Sequence, residues 1–175
     1  MVDDREPKDK EATLAGGCFW CTEAAYTSYD GVKAIISGYA GGSEATATYQ
    51  KVATGTTDHR EAVQVIYDPD KVSYEAILDV YWRNIDPTDD GGQFADRGPQ
   101  YTTAIYYHDE EQRRIAEQTK RQLQDSDRFD DAIVTDILPY TTFFPAEDHH
   151  QDYAEKQPRR YNQYKRASGR SAYFN

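Results

Sequence analysis

Apolar residues at positions 74, 77, 78, 81, 82 and 85 recur at the spacing of one helix face, and Ser73 precedes them as an N-cap, so the pattern predicts a helix over Tyr74–Ile85. Residues 60–67 alternate instead (Ala62, Val63, Val65, Tyr67) and give the clearest strand, ended by Asp68-Pro69. Weaker signals of the same kinds predict strands at 11–15, 32–39, 101–107 and 133–138. Helices are predicted from Cys18 to about residue 28, over 49–54, from an Asp109 cap to about Gln124, and over 146–157 between Pro145 and Pro158. Gly16-Gly17 and Asp30-Gly31 punctuate the first elements. Residues 86–100 form a long loop rich in Asp, Gly and Pro, the kind of segment that carries function in a compact domain. Strands alternating with helices around a mixed sheet predict an α/β (α+β) two-layer sandwich. The chain reads as one domain over 1–175, with a flexible start at 1–9 and a C-terminal tail over 158–175.

Composition changes this picture in two places. Leu, Ile, Val and Phe together make 27 of 175 residues, below the share of about 20% at which a highly charged chain is expected to stay disordered. The 15 Tyr and 2 Trp remove that expectation, because aromatic rings bury large areas and disordered chains lack them. The core should be small and Tyr-rich. The net charge is −11, which disfavours nucleic acid as a partner. That charge is uneven. Lys156, Arg159, Arg160, Lys165, Arg166 and Arg170 are the only charged residues from 156 to 175, and a basic tail on an acidic body is expected to lie against it. No apolar run reaches the roughly 20 residues of a membrane span, and the charged N-terminal stretch lacks the apolar segment of a signal peptide. A cytoplasmic monomer is expected.

The two cysteines, Cys18 and Cys21, form one C-x-x-C pair. That is too few for a disulfide scaffold or a four-Cys zinc site, so redox chemistry is favoured and no metal or cofactor is expected. Gly-Gly-Cys-Phe-Trp-Cys sits where a strand turns into a helix. A cysteine at a helix N-terminus faces free N–H groups and the positive end of the macrodipole, which should hold Cys18 as a thiolate. At least one of the adjacent rings of Phe19 and Trp20 should line a pocket beside it. His149-His150 reads as a pair on a helix surface. The residues alone leave open a general thiol–disulfide oxidoreductase, a metal-binding module or a binder of oxidised peptides.

GGCFWCTEAAY at 16–26 resembles the signature of the A-type peptide methionine sulfoxide reductases. The likeness continues through GYAGG at 38–42, Tyr49, DHREAVQVIYDP at 58–69, DPT at 86–88, DRGPQY at 96–101 and FFPAEDHHQDY at 143–153. The resemblance implies a ferredoxin-like core and thiol-dependent reduction of the S epimer of methionine sulfoxide, free or in proteins, a repair of oxidative damage. It implies Cys18 as nucleophile, Glu61 as the acid that protonates the sulfoxide oxygen, and Tyr39 and Tyr101 as hydroxyls polarising that oxygen. Phe19 and Trp20 match the pocket for the substrate methyl group, and Asp96 a substrate-backbone or network contact.

The chemistry needs these types. Thiolate attack on the sulfoxide sulfur puts negative charge on oxygen, which must be protonated by an acid within hydrogen-bond reach. A carboxyl can serve at neutral pH only if desolvation raises its pKa. Many relatives recycle through a cysteine in a Gly-rich tail, but the tail YKRASGRSAYFN has none. The expectation is that Cys21 resolves the Cys18 sulfenic acid and that thioredoxin reduces the Cys18–Cys21 disulfide. Direct reduction by an external thiol is the competing route.

Overall fold

The computed structural model describes residues 5–174. Its main sheet has six strands: β1 (Lys10–Gly16), β2 (Val32–Ala40), β3 (Arg60–Tyr67), β6 (Thr103–Tyr107), β7 (Asp136–Pro139) and β8 (Phe143–Pro145), ordered β7-β6-β1-β3-β2-β8. Every pair is antiparallel except β6–β7, so the sheet is mixed. A two-residue ladder, β4 (Gly92–Gln93) with β5 (Asp96–Arg97), structures the long loop. The helices are α1 (Phe19–Tyr26), α2 (Tyr49–Ala53), α3 (Tyr74–Arg83), α4 (Glu110–Asp125), α5 (Tyr153–Lys156), α6 (Pro158–Ala167) and α7 (Arg170–Phe174).

The period-2 pattern of the strands assigns their faces. Leu14, Val63, Val65 and Ile105 point to one side and pack with Tyr26, Ile77, Leu78, Tyr81 and Trp82 from α1 and α3. Ala15, Ala62, Ala104 and Tyr106 point to the other and meet Leu138, Tyr140 and Phe143. β3 is therefore buried on both faces. The predicted core is confirmed as small and Tyr-rich, with the rings of Tyr26, Tyr39, Tyr67 and Tyr81 enclosed. Tyrosines are tolerated there because their hydroxyls find acceptors. Tyr26 donates to the Ile77 carbonyl and Tyr81 to the Ala15 carbonyl, both at 2.7 Å.

The caps read from the sequence are in place. Ser73 accepts the Ala76 N–H at 3.0 Å and Asp109 the Gln112 N–H at 2.8 Å. The C-terminal third differs from expectation. No continuous helix fills 146–157. Residues 143–145 add β8 to the edge of β2, and only a 3-10 turn (Asp148–His150) and α5 follow. Pro158 does not end a helix but opens α6, where its missing N–H costs nothing. The strand predicted at 133–138 begins at Asp136, because the amides of Ile133 and Val134 are taken by Gln124 and the Pro87 carbonyl. The basic tail lies against the body: Tyr161 and Arg170 are buried. Of the start read as flexible (1–9), residues 1–4 fall outside the described residues, and Lys33 ties down Glu6 and Asp9 at 2.9 Å each.

Candidate active site

β1 delivers the chain to the site, and a glycine turns it. Gly17 has φ +86°, and a Cβ there would stand 2.7 Å from Cβ of Gln93 and 3.3 Å from Nη2 of Arg170. Gln93, fully buried, holds the 86–93 loop by accepting the Asp86 N–H at 2.8 Å and donating to the Asp86 carbonyl at 2.7 Å. Arg170 donates to the Gly16 carbonyl at 3.2 Å. The long loop and the C-terminal helices thus close on the same turn. Cys18 follows as the N-cap of α1, and Cys21 stands one turn on. Both are nearly enclosed, at 6% and 5% exposure.

The two thiols share a hydrogen bond, and the order of their ionisation reverses the expectation from the helix terminus. Burial is the largest influence on Cys18 and pushes its thiol up, followed by the bond to Cys21 and the charges of Glu61, Cys21 and Asp96. Cys21 is drawn down to about 7, first by the bond from Cys18 and then, against its own burial, by Arg170, Tyr161 and Lys165. Burial thus outweighs the helix terminus at Cys18. The physical reason is one of size: a helix end offers about half a charge, whereas full desolvation shifts a thiol by up to about 3–5 units.

Glu61, at the start of β3, is 2% exposed and accepts the Phe19 N–H at 3.2 Å, a donor that α1 leaves unpaired at its first residue. Burial raises its carboxyl to about 8; the Phe19 bond opposes the rise, and the charges of Asp96 and Cys21 add to it. At neutral pH this group keeps its proton, one residue from the Cys18 backbone. Asp96, on β5, is half-buried, raised by burial and pulled back by Arg170, and accepts the Tyr164 hydroxyl.

The tyrosine hydroxyls near Glu61 differ in their partners. Tyr39 pairs with Glu61 across β2 and β3, but its hydroxyl donates to Glu147 Oε1 at 2.8 Å and is spent there. Tyr49 and Tyr101 are the hydroxyls that share a field with Cys18, Glu61 and Asp96. Burial, then Glu61, raises both, so both remain donors. Tyr49 is placed by Glu147, whose other oxygen accepts its amide at 3.2 Å.

Phe19 is core, against Tyr39 and His150. Trp20 is half-buried, stacked on Tyr153 at 3.9 Å with Tyr164 edge-on, and donates to His150 Nδ1 at 3.2 Å. His150 is therefore no surface residue: it is 4% exposed, and burial lowers its pKa. Tyr49, Glu147, His150, Tyr153 and Tyr164 escaped the sequence reading as site residues. All but Tyr164 carried a signal, a place among the quoted motifs.

A family model described as peptide methionine sulfoxide reductase matches residues 10–175. Peptide methionine sulfoxide reductase MsrA 2 of Staphylococcus aureus is 52% identical over 163 residues, covering 93% of this chain and 92% of its own. Among solved structures, reduced Mxr1 from Saccharomyces cerevisiae superposes with a TM-score of 0.83 at 34% identity, over 89% of this chain and 90% of that one. Mxr1 in complex with Trx2 superposes at 0.56 and 26% identity, over 88% and 91%.

Proposed function

Because the chain belongs to the peptide methionine sulfoxide reductase family and so reduces methionine sulfoxide to methionine, we propose how its own residues carry the reaction. Cys18 attacks the sulfoxide sulfur as its proton passes along the shared hydrogen bond to Cys21. Glu61 delivers its proton to the sulfoxide oxygen, and Tyr49 and Tyr101 donate hydrogen bonds where charge grows. Tyr39 acts at one remove, fixing the Glu147 that positions Tyr49. Methionine leaves, and Cys18 carries the oxygen as a sulfenic acid. Trp20 walls the slot for the substrate methyl group, Phe19 supports it from the core, and Asp96 with Tyr164 holds the substrate backbone. The S epimer is the form accepted.

Recycling uses Cys21. Cys21 gives the proton it took from Cys18 to the sulfenic oxygen as its sulfur attacks the Cys18 sulfenic sulfur, the S–S bond forms, and the oxygen leaves as water. The disulfide is then reduced by a thioredoxin-type partner, a reading supported by the Mxr1 complex with Trx2. The shared hydrogen bond supports it too, because it already brings the two sulfurs together. We place the enzyme in the cytoplasm as a monomer, where a reducing pool sustains its thiols. The four strands β6-β1-β3-β2 with α1 and α3 support the ferredoxin-like description of the core.

The observation that carries this reading is the buried Glu61 carboxyl, protonated at neutral pH and bonded to the amide next to Cys18. The test is single-turnover reduction of each methionine sulfoxide epimer, with mass analysis of the Cys18 peptide. One equivalent of methionine from the S epimer and none from the other is expected. Reduction of neither epimer rejects the mechanism.

A further inference from the structure

Cys21 opens onto a cavity of about 630 Å³ that none of Glu61, Asp96, Tyr49 or Tyr101 lines. Its walls come from α1, the end of α3, the residues after α4, and the tail helices α6 and α7. They bring four cations, Arg83, Arg128, Lys165 and Arg170, and no carboxylate. In a protein of net charge −11 this is an inverted field. Arg83 pairs with Asp79 at 3.1 Å. Arg128, Lys165 and Arg170 have no ion pair among the described residues. Arg170 spends its donors on the carbonyls of Asn84 and Gly16. The Cys21 sulfur faces this space, since its hydrogen-bond partner Tyr161 and the cations that act on it, Arg170 and Lys165, are wall residues. The volume is that of a small-molecule site.

We propose that this cavity binds a low-molecular-weight thiol bearing carboxylates, which reduces the Cys18–Cys21 disulfide from the Cys21 side. The inference rests on the reading of Cys21 as the resolving cysteine. The carboxylates pair with Arg128 and Lys165, and the thiolate attacks Cys21 Sγ. The S–S bond to Cys18 breaks, and Cys18 leaves as a thiolate and takes up a proton. A second molecule of the thiol attacks the outer sulfur of the mixed disulfide. The oxidised dimer of the thiol departs and Cys21 is left as a thiolate; two thiols have supplied the two electrons. The cavity, which Cys21 lines and Cys18 does not, selects the attacked sulfur in the first step, and the surrounding cations stabilise Cys21 as leaving group in the second. A concave pocket with an enclosed sulfur suits a small thiol better than the convex surface of a protein.

The experiment follows steady-state reduction of methionine sulfoxide by the full chain, driven by glutathione, by the cationic thiol cysteamine, or by uncharged dithiothreitol. Each rate is divided by the same thiol's rate with hydroxyethyl disulfide. The expected result is at least a tenfold preference in kcat/KM for glutathione over cysteamine, falling at least fivefold between 20 and 500 mM salt. In Arg128→Glu/Lys165→Glu the glutathione-to-dithiothreitol ratio drops at least tenfold. A preference for cysteamine, a salt-insensitive glutathione rate, or an unchanged ratio in the double variant overturns the inference. Mass analysis after one turnover without reductant separates the two readings. If no Cys18–Cys21 disulfide forms, the recycling reading fails and the inference with it; if the disulfide forms but the ratios stay flat, the cavity alone is refuted.

Discussion

Replacing Glu61 with Gln should make the protein nearly inactive and, at alkaline pH, more stable, and the stability change should depend on pH in a calculable way. The carboxyl goes from 4.5 to about 8 on folding, and one unit corresponds to about 1.36 kcal/mol. The folded state therefore binds the proton more tightly than the unfolded one. Wild-type stability is full below pH 4.5, declines as pH rises, and stops declining above about 8. At pH 7 the gap is 7 − 4.5 = 2.5 units, or about 3 kcal/mol, and above pH 8 about 5 kcal/mol. The amide has no such charge to bury. Housing its two N–H donors adds an offset of about 1–3 kcal/mol that is the same at every pH. The variant-minus-wild-type stability, from urea unfolding at steps between pH 4.5 and 8.5, should thus climb by about 3 kcal/mol up to pH 7; in thermal unfolding that is about 6–12 °C. Single-turnover reduction should fall by about 10²–10⁴, the usual worth of a general acid, and the wild-type alkaline limb near pH 8 should vanish. A flat difference curve, or a variant within tenfold of wild-type activity, would show that Glu61 is not a buried acid serving the reaction.

Three further outcomes are expected. Cys21→Ser should still release one equivalent of methionine, more slowly because Cys18 loses its proton acceptor, and should lose every later turnover with thioredoxin; sustained turnover, measured as methionine per enzyme, rules out Cys21 as the resolving thiol. Tyr49→Phe and Tyr101→Phe should each slow the single-turnover rate by about 10²–10³, in line with losing one donor to a developing oxyanion, whereas Tyr39→Phe should leave it within threefold and cost about 1–2 kcal/mol in urea unfolding through the lost bond to Glu147. Gly17→Ala meets both a φ of +86° and a Cβ contact of 2.7 Å with Gln93; a loss of about 3 kcal/mol in denaturant unfolding is expected from strain and overlap together, with turnover falling in step.

Most of the sheet and the turn that carries Cys18 were legible because each is written locally. Cys18 sits in a six-residue motif, and Ser73 and Asp109 announce their helices; Glu61 was singled out by the family resemblance and not by its place at the start of an alternating strand. What was not legible depends on distant partners. Nothing near Tyr39 says that Glu147, 108 residues on, accepts its hydroxyl, so Tyr39 and Tyr49 could not be told apart by type. β8 has three residues, too few for a period, and exists only by its register with β2. Pro158 is compatible with the end of one helix and the first turn of the next, and only the packing of Tyr161 and Arg170 decides. The ionisation of Cys18 was misread for a related reason. Its helix terminus is visible in the sequence, while the enclosure that outweighs it is not.

Arg170 clamps the carbonyl of Gly16, a residue 154 positions earlier. During translation, at about 5–20 residues per second, the stretch from Cys21 to Arg170 takes roughly 7–30 s to appear. Through that interval the nascent polypeptide carries both sulfurs without the guanidinium that later shields their turn. Newly made molecules should accordingly be the ones most vulnerable to peroxide and to mispairing with other thiols.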